Sequence, residues 1–294
     1  MRYSFFTGVL LAGLACAPAA STGGAGGAAP APGAAAPTPS TTPAGTEKGK
    51  AVALEPPAFV RYQFQRFDTL ALQLPNGSAQ SQTYGWSAWL DTRASRETNG
   101  FRLVITLDSL DVEASPAAPQ AAMDSARGTR WTAHLDADGK LSSLQADRES
   151  SIAAQFGAML RYLYPPLPGG SVRSGATWTD SATVPTRAQN FEVEEHGRTE
   201  YVASGPVVHG DQTVLLIGGS GTFTRSGNTT QFGQAMQHQS AGQRRLTFYL
   251  GTNGAPAGLD GTESSKVTIT VPAVGQSLTA DQSGSFRVTI SGAP

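Results

Sequence analysis

Cysteine occurs once in this 294-residue chain, at Cys16. A single thiol excludes an internal disulfide framework, a CxxC redox pair and a thiolate zinc cluster. Charge is also sparse: 15% of the residues are Asp, Glu, Lys or Arg, and the net charge is −1. The two signs are mixed along the chain, so it offers no basic stripe to nucleic acid. Histidine occurs four times, and HExxH and phosphate-loop motifs are missing. His134 and His196 read as the wet faces of strands, and His209 and His238 as loop residues. The apolar run Phe5–Leu14, about ten residues, is too short to span a bilayer, which takes roughly 20. No nucleophile, base and orienting group assemble from the text. The expectation is therefore a non-enzyme with no catalytic residue, no metal and no cofactor.

What is present begins at the N-terminus. Met1-Arg2-Tyr3 supplies one positive charge, and the apolar run ends in Leu10-Leu11-Ala12-Gly13-Leu14-Ala15-Cys16. Basic start, short apolar stretch and small residues form the pattern of an export signal. The last residues resemble the lipobox of bacterial lipoproteins, with Gly13 where Leu is commoner. The resemblance implies cleavage after Ala15 and diacylation (palmitate-type chains) of the Cys16 thiol. Ala17, where an Asp would retain such a protein in the inner membrane, implies the outer membrane, facing the periplasm or the cell surface. The partner so implied is the membrane itself. Chemistry suits this, because two or more acyl chains anchor stably where one does not. The alternative is an ordinary secretory signal with an incidental cysteine.

Residues 17–50 are almost wholly Ala, Pro, Gly, Ser and Thr over their first thirty positions. No side chain there buries enough apolar surface to offset the entropy of ordering. The stretch reads as a disordered tether, with glycine loosening it and proline extending it, up to about 90 Å if drawn out. Residues 51–294 remain for a single β-rich domain.

Period-two alternation dominates that domain. Val60, Tyr62 and Phe64 share one face, as do Tyr84, Trp86, Ala88 and Leu90, then Phe101, Leu103, Ile105 and Leu107. Trp131 to Leu135, Leu246 to Leu250, Val267 to Val271 and Phe286 to Ile290 repeat the pattern. One wet face and one dry face mark antiparallel strands. Turn formers separate them, including Pro75-Asn76-Gly77, Asn99-Gly100, Asp138-Gly139, His209-Gly210-Asp211 and Asn253-Gly254. About 11–12 strands are expected. The exception is 147–164, where Ile152, Phe156, Met159, Leu160 and Leu163 recur at helical spacing. Asp147 is placed to cap this helix, and Tyr164-Pro165-Pro166 to end it. Gly157 beside the stripe permits close approach to a sheet.

There is an internal echo. RWTAHLDADG (130–139) is similar to RLTFYLGTNG (245–254), and Gly100 precedes one copy as Gly210 precedes the other. Two pseudo-repeats, 55–165 and 176–292, account for the order.

Strands about 4.8 Å apart make an eleven-stranded sheet some 50 Å wide, against a helix about 10 Å across. One helix cannot hide that apolar face. The sheet must close, split into a sandwich, or curl around the helix and leave a groove. A large antiparallel curled sheet, half-barrel or barrel-like, with one inserted helix behind a lipobox resembles the half-barrel of periplasmic lipoprotein carriers and mycobacterial lipid-carrying lipoproteins. The likeness lies in arrangement, without a matched motif. It implies a hydrophobic groove and an acyl-chain ligand, with Trp86, Phe156, Met159, Leu160 and Leu163 as ligand-binding candidates. The alternative is that these five pack as core, leaving a structural or interaction lipoprotein.

Other motifs reduce to structure. Leu135-Asp136-Ala137-Asp138-Gly139 lacks the further ligands of a calcium loop and reads as a hairpin turn, as does its echo. Gly218-Gly219-Ser220-Gly221 lacks the final glycine and the setting of a nucleophile elbow. Arg66 and Asp68 stand out, because they fall on the otherwise apolar face of the first strand, where they pair with each other or mark its end.

Overall fold

The computed structural model describes residues 49–73, 79–114, 124, 126–188, 191–231 and 234–291. Cys16, the lipobox, the tether up to residue 48 and the Pro75-Asn76-Gly77 turn lie outside the described residues.

The alternating segments form long strands: β2 (Phe59–Gln73), β3 (Ala79–Glu97), β4 (Gly100–Ala114), β5 (Arg130–Asp136) and β6 (Leu141–Ala146). After a helix come β8 (Thr177–Ala188), β9 (Phe191–His209), β10 (Gln212–Gln231), β11 (Gln234–Gly251), β12 (Pro256–Val271) and β13 (Gln276–Ile290). These eleven make one antiparallel sheet in the order β6-β5-β4-β3-β2-β13-β12-β11-β10-β9-β8. Each meander is sequential, and the pairing of β2 with β13 joins them. The sheet curls into a half-barrel. Two further strands, β1 (Val52–Ala53) and β7 (Ser171–Val172), pair with each other. The eleven strands of the large sheet match the expected 11–12; the β1–β7 pair stands outside it and was not expected, because two-residue strands carry no alternation to read.

Proline sits where a missing N–H costs least. Pro185 is on the edge strand β8, Pro206 lies at the β9–β10 bulge, and Pro256 opens β12.

Helix α1 spans Ser151–Leu160, shorter than the expected 147–164. Ser150, not Asp147, caps it: the Ser150 hydroxyl accepts from Ala153 N at 3.0 Å. Asp147 instead accepts from the backbone of Arg130 at 2.9 Å, tying the end of β6 to β5. The helix therefore starts after the strand pair closes. It ends before Tyr164-Pro165, with Tyr162 and Leu163 in turns that follow it. Its apolar face (Ile152, Ala153, Phe156, Gly157, Leu160) is buried. It packs against both β6 and β8, the two free edges, and so bridges the gap that the curl leaves. Trp131 Nε1 donates to Ala153 O at 3.2 Å, and Phe156 lies between Trp86 and Trp131, 4.9 and 6.1 Å away by ring centroids. Gly157 is not sterically required. A methyl there would meet Trp131 at 3.5 Å, ordinary contact.

The echoed segments form the same turn. Gly139 N donates to Asp136 O and Asp136 N to Lys140 O; Gly254 N donates to Gly251 O and Gly251 N to Ala255 O. Gly139 and Gly254 adopt φ of 79° and 87°, open to glycine at little cost. Both turns hold the same strap. Leu54 abuts Gly139, and Glu55 N donates to Gly254 O at 2.9 Å. Residues 52–55 and β7 thereby cross one end of the half-barrel.

Candidate functional site

Three bands divide the concave face of the sheet. The band under the helix and the strap is apolar and closely packed, with Tyr62, Leu90, Leu103, Trp131, Ile217 and Phe248 all buried. The band at the opposite end is also apolar, in two smaller groups: Leu70, Leu72 and Ala280, and Met236, Val267, Ile269 and Val271. Charge occupies the band between them.

Register builds this middle band. Asp68 lies opposite Gly284, Gly284 opposite Glu263, and Glu263 opposite Arg244. One step along, Ser240 lies opposite Arg225 and Arg225 opposite Glu195. Glycines make room for the long side chains. A Cβ on Gly284 would stand 2.3 Å from Asp68 Oδ1, and one on Gly261 would stand 2.1 Å from the Phe286 ring. Each glycine faces the residue that lies across it.

The ion pairs form a closed row. Arg244 donates Nε to Glu263 at 2.6 Å and Nη2 to both oxygens of Glu195 at 2.9 and 3.0 Å. Arg225 donates Nε to Glu195 at 2.6 Å and Nη2 to Glu263 at 3.3 and 3.4 Å. Arg66 donates to Asp68 at 2.7 and 2.9 Å and to Glu263 at 3.3 Å. The Tyr162 hydroxyl donates to Glu195, so the segment after α1 reaches into the row. Arg244 is sandwiched, its guanidinium 4.2 Å from the Tyr162 ring and 5.0 Å from the Phe223 ring. Side-chain exposure is 5% for Arg244 and 8% for Glu263.

Mutual charge overrides burial here. Burial alone would raise the Glu263 carboxyl, but Arg244, Arg225 and Arg66 hold it well below the usual carboxylate range. Glu195 is likewise lowered, against burial, by Arg225 and Arg244. Burial would lower Arg244, yet Glu263, Tyr162 and Glu195 keep it above its ordinary value. His238 has no such partner. Burial, helped by Arg225, pushes it down to about 4, so it is neutral at pH 7.

A cavity of about 340 Å³ opens over this row. Phe64, Trp86, Phe156 and Met159 wall it on the helix side, and Leu70, Val193, Val267 and Ile269 on the far side. Arg66, Glu195, Arg225, His238, Arg244 and Glu263 line the middle. Of the five candidates read from sequence, Trp86, Phe156 and Met159 lie in the wall. Leu160 and Leu163 do not; they are buried in the main core, to which Trp86 and Phe156 also belong. His238 is also corrected. It sits within β11, half-buried on the inner face, rather than in a loop. His209 ends β9 and stacks on Tyr249.

The signal that singled out Arg66 and Asp68 would have found the rest. Glu195 is in phase with Val193 and Tyr201, Arg225 with Ile217 and Phe223, Arg244 with Leu246 and Phe248, and Glu263 with Leu259 and Val267. A charge on the dry parity of a strand is a buried charge. Sequence alone does not show that all of them meet.

His238 yields a pH prediction. Its folded pKa lies below the unfolded value, so between about pH 6.5 and 4 the unfolded chain takes up a proton that the native state refuses. Stability falls as pH falls through that window, by up to about 3 kcal/mol. The lowered carboxyls of Glu195 and Glu263 lose their contribution only below the ordinary carboxylate range, about pH 4.3, so the two effects separate. Urea midpoints of wild type and His238→Phe at pH 7 and 4.5 test this. The wild type should lose more than the variant, and parallel losses would remove His238 as the cause.

Among the described residues, no group of three or more His, Cys, Asp or Glu side chains is arranged to hold a metal ion, and no helix is long and apolar enough to cross a membrane. No family model, curated protein or solved structure matches the chain.

Proposed function

We propose that this protein is an envelope lipoprotein, held to the membrane through Cys16, that binds a hydrophobic, acyl-chain ligand between its sheet and its helix. The cavity carries the reading. About 340 Å³ bounded by Phe64, Trp86, Phe156 and Met159 falls within the 300–1,000 Å³ range of small-molecule sites. The cavity opens to solvent, and its apolar walls stand on the helix side and on the far side, so a chain can enter it without displacing the packed core. The charges in it are already paired with one another, which suits binding rather than turnover. A structural or interaction lipoprotein is the competing reading, favoured by the packing of Leu160 and Leu163 into the core.

The full-length chain carrying Cys16→Ser tests ligand binding without the anchor. Solvent extraction of the purified protein should release acyl lipid detectable by mass spectrometry, and Met159→Trp, which fills the cavity wall, should reduce the yield severalfold. An empty extract, with no thermal shift on adding phospholipid, would leave the structural reading. Labelled palmitate should enter the wild type and not Cys16→Ser; equal labelling would reject the anchor.

A further inference from the structure

Every carboxylate oxygen in the ion row already accepts, and what remains unused is arginine N–H. Both oxygens of Asp68, Glu195 and Glu263 take at least one hydrogen bond. Nη1 of Arg66 and of Arg225 donates to no side chain among the described residues. Arg225 is the less engaged of the two: Nε holds Glu195 at 2.6 Å, while Nη2 reaches Glu263 only at 3.3 and 3.4 Å. The side chains of Arg66 and Arg225 are 15% and 22% exposed, and both line the cavity. A polar group entering the cavity therefore meets donors and must bring acceptors.

His238 stands beside Arg225 on the same concave face. Gly227 lies opposite it in register, two positions on from Arg225, and both side chains line the cavity. Nδ1 is enclosed, so the nitrogen it can turn to a ligand is Nε2. The charged and titratable groups facing it are Arg225 on β10, Arg244 on its own strand, Glu263 on β12, Glu195 on β9, Arg66 and Asp68 on β2, Tyr84 on β3, and Tyr162 after the helix. It pairs with none of the carboxylates, and Arg225 opposes its charge as burial does. An imidazole next to a cation, with no anion of its own, is a place where an incoming anion and a proton favour each other.

Charge balance selects the form of the ligand. The row sets Arg66, Arg225 and Arg244 against Asp68, Glu195 and Glu263. A carboxylate entering alone would put four anions against three cations and would lose its own hydration. With His238 protonated the count is four against four, and the carboxylate gains charge-assisted hydrogen bonds from the free guanidinium N–H groups. Apolar walls, Trp86 and Phe156 toward the helix and Val267 and Ile269 beyond, accept the chain.

We propose that the ligand is a fatty acid, bound as its carboxylate at Nη1 of Arg225 and Arg66, and that His238 takes up one proton from solvent as it binds. This rests on the reading that the cavity binds an acyl-chain ligand.

Full-length Cys16→Ser protein is titrated with laurate and with methyl laurate at pH 5.5 and 6.5, followed by tryptophan fluorescence. Uptake of one proton makes laurate bind about tenfold more tightly at pH 5.5 than at pH 6.5, and methyl laurate should bind equally at both. His238→Phe should abolish the pH dependence of laurate; His238→Gln reports the same if the phenylalanine variant does not fold. A laurate affinity that does not change with pH in the wild type overturns the inference. So does a pH dependence that survives in the variant, because it puts the proton on the ligand. In either case, binding of methyl laurate leaves the reading of an apolar ligand standing. Binding of neither probe would overturn both.

Discussion

Glu263→Gln is expected to cost about 3–5 kcal/mol of folding stability, the typical loss when one partner of a buried ion pair is removed. The glutamine keeps the shape but not the charge. Glu263 accepts from three arginines at once: Arg244 at 2.6 Å, and Arg66 and Arg225 at 3.3 Å. Without it, the row holds three guanidinium groups against Glu195 and Asp68, with Arg244 only 5% exposed. The variant should lower the urea midpoint at pH 7 with little change in the slope of the transition. Removing a cation as well, in Glu263→Gln/Arg244→Met, restores charge balance and should recover part of the loss. A change under about 1 kcal/mol in the single variant, the size found for surface pairs, would show that the row is solvated.

Trp131→Ala is the second large effect, expected at about 3–5 kcal/mol. The indole is 1% exposed. It fills the space between β5 and the helix, contacts Phe156 and donates Nε1 to the Ala153 carbonyl at 3.2 Å. Truncation opens a cavity and strips a hydrogen bond from the first turn of α1. Because α1 bridges the β6 and β8 edges, the loosened helix also uncovers strand edges, which are templates for pairing with another chain. Trp131→Phe keeps most of the volume and should cost less than Trp131→Ala. Thermal unfolding with amide exchange over 151–160 distinguishes the two parts: the alanine variant should exchange faster in the helix than in β11. Uniform exchange in both elements would mean that Trp131 supports the core generally and not the helix.

Much of the architecture was legible in the chain. Strands such as 59–73 and 256–271 alternate with one dry face, and that alternation survives as burial in the structure. The helix was visible from Ile152, Phe156 and Leu160, although its start was misplaced at Asp147. An acidic residue before a helical stripe caps only if the backbone there is free, and Asp147 is engaged with Arg130. Within the candidate site, Trp86, Phe156 and Met159 were found from apolar spacing. Spacing alone groups Leu160 and Leu163 with them, because it gives a stripe and not the direction in which the stripe is divided. Arg66 and Asp68 were visible as charges out of phase with their surroundings.

The sequence by itself determined that the domain is mainly antiparallel β, that one helix interrupts it, and that the sheet has more apolar face than the helix can cover. Those follow from local periodicity, which each segment carries without reference to any other. The tertiary structure decided that β2 pairs with β13, that α1 spans the two free edges, and that Arg66, Glu195, Arg225, Arg244 and Glu263 meet in one row over a hollow. These depend on register between strands more than 200 residues apart, as in β2 and β13, where Tyr62 lies opposite Ile290, and on contacts such as Arg66–Glu263, separated by 197 positions. Side-chain alternation says which face a residue occupies; only the pairing of whole strands says what stands across from it.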